Sequence, residues 1–235
     1  MLARMARLPQ LFFAVALAAI AAGAPSAAAG VGRHLVGHSR HGLPIYAYET
    51  GSPSGRKVLV VGCIHGNEPA GIAVAQVLRA MRPPIGVDLW IIPDLNPDGV
   101  AGDTRGNARG VDLNRNFPWG WQHLTGTFAS GPHALSEPES SAASALIVRL
   151  RPQVSIWFHQ ALGVVDDSQG SGALERRFAR LVGLPLARLT DYPGSVASWE
   201  NHTLRGTTAF VVELPAGALS SAEARRYARA VLAVS

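Results

Sequence analysis

Apolar and polar positions divide the chain into short, sharply bounded segments. "LPIYAYET", residues 43–50, alternates and predicts an edge or hairpin strand. Gly, Pro and Ser cluster in "GSPSGRK", 51–57, which predicts a loop. "KVLVVGC", 57–63, is continuously apolar, as suits a strand covered on both faces. Helical spacing follows in "GIAVAQVLRAM", 71–81, then a second buried strand in "VDLWIIPDL", 87–95. A long irregular segment covers roughly 96–121. A helix begins in "SEPESSAASALIVRL", where Ser136 and Glu139 have the spacing of a capping box and Pro138 falls in the first turn. "QVSIWFH", 153–159, predicts a short strand ending in His159, and "SGALERRFARLVG", 171–183, a helix. "TTAFVVELP", 207–215, is a strand reaching Glu213, and "SSAEARRYARAVLAV", 220–234, the last helix. Strands alternating with helices predict an α/β fold: one domain built on a mixed, mainly parallel sheet flanked by helices.

The first residues stand outside that pattern. "MLARMARLPQ" carries Arg4 and Arg7, "LFFAVALAAIAAG" is apolar for about a dozen residues, and "APSAAAG" supplies small residues. Positive, apolar, small is the order of a secretory signal, and the apolar run is shorter than the roughly 20 residues that span a bilayer. Residues 1–29 are expected to be a signal peptide cut near Ala29, leaving 30–235 as the domain. The protein is then exported to the periplasm, the cell wall or the medium, without stable membrane insertion. A retained N-terminal anchor is the alternative.

Removing that segment lowers the formal charge from +5 to about +3, and Lys57 is the only lysine. No basic cluster is interleaved with aromatics, so nucleic acid is not an expected partner. A monomer is expected. The single cysteine, Cys63, has no intrachain partner and fits a buried strand position.

His65 and Glu68, His159, and Glu213 each follow an apolar run. In open α/β sheets, ligands gather at the carboxyl ends of strands. A catalytic zinc takes three protein ligands and leaves one position open. His65, Glu68 and His159 supply that set for one ion, two of them near neighbours and the third distant. Glu213 is a candidate base, and Arg105, Arg109 and Arg115 are candidates to neutralise oxyanion charge. Taken singly, each has a plain reading: loop polar groups, a core histidine, a capping acid, solvated arginines.

In combination and in order, "HGNEPAG", "NPDG", "TRGNARGVDLNRNF", "SEPE", "WFHQ", "DYPGSVASW" and "VVELP" resemble the zinc carboxypeptidase family, and within it the bacterial murein peptide amidase branch. The resemblance covers about residues 31–234. It implies that His65, Glu68 and His159 are zinc ligands and that Glu213 is the general base and proton shuttle. It implies that Asn114 and Arg115 grip the free carboxylate of a peptide substrate and that Arg105 polarises the scissile carbonyl, with Arg109 its rival. Asp112 corresponds to the carboxylate that orients a metal-bound histidine, and Tyr192 to the mobile tyrosine that caps the substrate. The branch cleaves the γ-D-glutamyl–diaminopimelate amide of peptidoglycan stem peptides, which implies a cell-wall-derived peptide as substrate. The chain is shorter than the digestive carboxypeptidases, and no separate inhibitory pro-domain is expected between the signal and "LPIYAYE". Small residues Ser195, Val196 and Ala197 argue against a side-chain pocket built around an acid. The competing readings are a secreted carboxypeptidase for apolar C-terminal residues, a zinc-free binding protein of the same fold, and a related acyl-amino-acid deacylase.

Overall fold

The computed structural model describes residues 32–168, 170–190 and 192–235. The expected signal peptide lies outside the described residues. The strands are β1 Gly32–His38, β2 Pro44–Gly51, β3 Arg56–Val61, β4 Val87–Ile92, β5 Val154–Asp166, β6 Leu186–Ala187 and β7 Thr208–Pro215. The helices are α1 Ala70–Arg79, α2 Pro97–Gly102, α3 Pro138–Leu150, α4 Ala173–Val182, α5 Val196–Thr203 and α6 Ser221–Val234. The strands form one sheet in the order β1-β2-β4-β3-β5-β6, with β7 also paired to β5. β1, β2 and β4 pair antiparallel, and the pairings around β3 and β5 are parallel. The sheet is mixed and mainly parallel, as expected.

β3 shows why the apolar run is continuous. Val58 and Val60 join the core under α1, α4 and α6, whereas Leu59 and Val61 join the core under α3 and α5. Successive strand residues point to opposite faces, so a strand covered on both sides is apolar at every position. Burying each such side chain contributes about 1.5–3 kcal/mol. α1 approaches β3 closely because Gly62 and Gly71 face each other; a Cβ on Gly71 would lie 2.1 Å from the Gly62 carbonyl oxygen.

Two expectations differ. The capping box does not form at α3: the N-cap is Glu137, with no side-chain cap bond. Glu139 is buried and accepts instead from the Arg40 amide at 2.7 Å and from Asn107 Nδ2 at 3.0 Å. Long-range partners draw the carboxylate away from its local one. Nor does β5 end at His159; it runs on to Asp166. Its partners on β7 climb from His159↔Glu213 to Ala161↔Pro215, then fall back through Val164↔Glu213 to Val165↔Val212. The chain therefore returns alongside the segment that carries Glu213.

α5 brings a carboxyl into the core. Glu200 is fully buried and accepts from Ser155 Oγ at 2.5 Å and Trp157 Nε1 at 2.8 Å. Burial outweighs both bonds and pushes it from 4.5 to about 7. Between those values the folded chain holds a proton that the unfolded chain has lost. Its stabilising contribution is complete below 4.5 and lost as pH rises through about 7, on the order of 3 kcal/mol in all. Glu200→Gln keeps an acceptor and removes the titration. Thermal unfolding from about pH 5 to about pH 8 should show the variant gaining on the wild type. Parallel pH profiles would remove Glu200 as the cause.

Candidate metal centre

The loop between β3 and α1 folds so that the Glu68 amide donates to the His65 carbonyl at 2.9 Å. This tight turn sends both side chains to the same side, at the carboxyl end of the sheet. β5 supplies His159 two strands away from β4, directly opposite Glu213 in the β5–β7 register. His65 Nδ1 lies 3.0 Å from Glu68 Oε2, and His159 Nδ1 lies 3.1 Å from both atoms. Among the described residues, these three form the group of side chains that could hold a metal ion.

The donor set fits a dication. His65 Nε2 meets Asp112 Oδ1 at 2.9 Å, which assigns the proton to Nε2 and turns the Nδ1 lone pair toward the centre. Glu68 Oε1 is occupied by Arg105 Nη1 at 2.8 Å, so Oε2 faces the two imidazoles. The edge of a tetrahedron with zinc–ligand bonds of about 2.0–2.1 Å is roughly 3.3–3.4 Å, close to the triangle observed. Burial pushes the Glu68 carboxyl up, but bonds from His159 and His65 hold it well below the ordinary carboxylate range. Asp112 is likewise pushed up by burial and carried well below it by His65, Arg105 and Arg115. Two ionised carboxylates in one buried site favour a cation beyond Arg105.

A family model described as zinc carboxypeptidase matches residues 29–165. Murein peptide amidase A of Escherichia coli (strain K12) is 30% identical over 185 residues, covering 72% of this chain and 76% of that one. Murein peptide amidase A of Vibrio campbellii (strain ATCC BAA-1116) is 31% identical over 195 residues, covering 76% and 77%. This chain belongs to the zinc carboxypeptidase family. The solved murein-tripeptide amidase of Escherichia coli O157 superposes with a TM-score of 0.69 at 26% identity, over 86% of this chain and 91% of that one. Carboxypeptidase A of Helicoverpa armigera shares the fold, with a TM-score of 0.71 at 19% identity over 86% and 69%. The protein is accordingly a hydrolase of this family, and its cofactor is zinc.

In this zinc carboxypeptidase, the triad opens into a cavity of about 350 Å³ that Glu213, Arg105, Asn114, Arg115 and Tyr192 also line. Asp112 lies behind it, at the N-cap of the 3-10 turn Leu113–Arg115, and accepts from Arg105 Nε at 2.9 Å and the Asn114 amide at 2.9 Å. The turn thus sets His65, Arg105 and Arg115 in one step. Arg109 does not line the cavity; it lies 3.6 Å from Glu137. Its neighbour Asn107 bonds both Glu137 and Glu139, so this stretch anchors the irregular segment to α3.

Arg115 is buried, its guanidinium 4.2 Å from the Tyr192 ring centre and 5.3 Å from that of Phe128. It has no carboxylate within ion-pair distance among the described residues, and burial lowers its affinity for its proton. Asn114 Oδ1 accepts from the Val196 amide at 2.9 Å, which leaves its NH₂ group to donate. Gly194 lets the Tyr192 loop close on Arg115: φ is +73°, and a Cβ there would lie 2.2 Å from the Arg115 carbonyl oxygen. Glu213 Oε2 is buried without a hydrogen-bond partner, and burial raises its carboxyl above the ordinary value.

Of the three small residues expected to shape the side-chain pocket, Ser195 lines the cavity. Val196 and Ala197 are buried core residues, and Asp166 stands in the cavity wall with Ser195. Asp166 lies in "VVDDS", in the part of β5 beyond the predicted strand end at His159.

Proposed function

We propose that this protein is an exported zinc metallopeptidase that hydrolyses the amide next to a C-terminal residue. We assign its substrate as the γ-D-glutamyl–diaminopimelate bond of peptidoglycan stem peptides. The observation that carries the reading is one cavity holding the metal triad, a Glu213 carboxyl whose Oε2 is buried without a hydrogen-bond partner, and a buried Arg115 guanidinium with no carboxylate within ion-pair distance among the described residues. Relatives named murein peptide amidase, matched along most of their length, support the substrate class.

His65, Glu68 and His159 hold the ion. Zinc bound there supplies Lewis acidity that polarises an amide carbonyl and makes water nucleophilic near neutral pH. Glu213 accepts the proton of the attacking water and passes it to the departing amine, so the amide ends as a carboxylate and a free amine. Arg105 is fixed through Nε and Nη1, and its remaining Nη2 meets the charge that develops on the carbonyl oxygen. Arg115 and the Asn114 NH₂ group hold the substrate's free carboxylate, the guanidinium fork matching it in two bonds. Tyr192, 41% exposed and stacked on Phe128, closes over the bound residue. Murein lies outside the membrane, where the N-terminal pattern of positive, apolar and small residues would send the chain. Among the described residues, no helix is long and apolar enough to cross a membrane.

The test is incubation of the zinc-loaded protein with L-alanyl-γ-D-glutamyl-diaminopimelate, with products read by mass. Released diaminopimelate is expected. The C-terminally amidated peptide should be cut at least about 100-fold less well, and Arg115→Ala should erase most of that difference. Equal cleavage of free and amidated peptides would remove Arg115 from the role. Release of phenylalanine or leucine from blocked dipeptides, with the murein peptide untouched, would replace the substrate class.

A further inference from the structure

One short pattern occurs twice in the chain. "RRFAR", residues 176–180, lies in α4, and "RRYAR", residues 225–229, lies in α6. The two helices pack against each other over the same face of the sheet. α4 buries Glu175, Phe178, Ala179 and Val182, and α6 buries Ala224, Tyr227, Ala228 and Val231. At 3.6 residues per turn, those inward sets send the first, second and fifth residues of each pattern outward. Arg176, Arg177, Arg180, Arg225, Arg226 and Arg229 are all exposed. The aromatic inside each pattern points the other way. Phe178 and Tyr227 are fully buried and meet one ring, Phe158, at centroid distances of 6.4 and 6.3 Å. That shared contact sets the two arginine triplets level with each other, as two rows on one outer face.

The charge of these rows is not balanced. Glu175 is buried and accepts from the Ser171 amide at 3.1 Å, and Glu223 closes the capping box with Ser220. None of the six arginines has a carboxylate within ion-pair distance among the described residues. Arg176 and Arg180, like Arg225 and Arg229, are four positions apart on a helix, where like charges repel. A layer of anions over the face removes that repulsion. The buried aromatics leave nothing here to stack on a base, which argues against single-stranded nucleic acid. Two level rows match a surface of anions rather than a single line of them. Leu181, 45% exposed next to Arg180, adds an apolar side chain that a headgroup layer can take in. We propose that α4 and α6 dock on anionic phospholipid headgroups and hold the protein at a membrane surface. The guanidinium forks pair with phosphate in two bonds each. Among the described residues, none of α4 or α6 lines the catalytic cavity, so docking leaves it open. The inference stands apart from the proposed activity and needs no zinc.

The test is the partition of the full chain onto vesicles of phosphatidylcholine with about 30% phosphatidylglycerol, set against phosphatidylcholine alone. At about 0.1 M salt the ratio of the two partition coefficients should be at least about 1,000, and it should fall steeply by about 0.5 M. Arg176→Gln, Arg177→Gln and Arg180→Gln together should lower that ratio on the order of 100-fold, as should Arg225→Gln, Arg226→Gln and Arg229→Gln together. Lysine at the same three positions should restore most of it. Residues 1–29 are common to every variant, so a change in the ratio reads the helices. Glutamine suits a helix as well as arginine does, and an unchanged Tm checks the fold. A ratio near one in wild type overturns the inference, as does a ratio unchanged in both folded glutamine variants. Lysine variants as weak as the glutamine ones overturn it too, because charge would then not be what binds. Binding to duplex DNA or soluble polyphosphate without preference for the anionic vesicles would replace the membrane with a polymer.

Discussion

Glu213→Gln is expected to keep one zinc and lose turnover by about 10²–10⁴-fold, the range of a positioned general base. The side chain is outside the triad, and its Oε2 is buried without a hydrogen-bond partner. No ion pair of Glu213 is lost in the variant among the described residues, and the amide fills the same space. Only the ionised carboxylate accepts a proton. Burial raises its affinity for a proton above that of an ordinary carboxylate, so the acid limb of the wild-type kcat/KM profile should lie above 4.5. That limb should vanish in the residual activity of the variant. The measurements are zinc content by elemental analysis, and kcat/KM against pH with the murein tripeptide. Wild-type rates in a zinc-loaded Glu213→Gln would assign the proton transfer elsewhere.

Removing the zinc should have an effect as large and a second signature in stability. The two imidazole nitrogens and the Glu68 oxygen stand 3.0–3.1 Å apart, with a second ionised carboxylate, Asp112, behind His65. Chelation should abolish activity, and one equivalent of zinc should restore it. An ion that binds only the folded chain at about 100 times its dissociation constant adds about 2.7 kcal/mol, several degrees of Tm in a domain of this size. His159→Ala removes the ligand that joins β5 to the loop before α1. It should bind zinc far more weakly and show little of that thermal shift. A variant holding one zinc as tightly as wild type would strike His159 from the ligand set.

Much of this was legible because it is local. The continuous apolar runs of β3 and β4 and the helical spacing of α1 and α6 are short-range consequences of burial on known faces. The short spacing of His65 and Glu68 is also local, since one turn delivers both. The capping box at α3 failed for the opposite reason: Arg40 and Asn107, distant in sequence, outbid the helix terminus for Glu139. The apolar pattern does not mark β1, whose alternate burial is only partial, or α5, whose capping serine lies in a motif that carries the family resemblance. Asp166 was missed because periodicity carries no record of a strand that doubles back along its neighbour.

By itself the amino-acid order determined the class of fold, the residues able to hold a metal, and the family resemblance, because these depend on side-chain type and on intervals of a few residues. Only the folded chain decided that Arg105 rather than Arg109 reaches the cavity, that Asp112 steadies His65, and that Asp166 faces Arg115's cavity. Those outcomes turn on where separate segments come to lie against one another. That placement is the work of the whole core acting at once, and no window of the chain contains it.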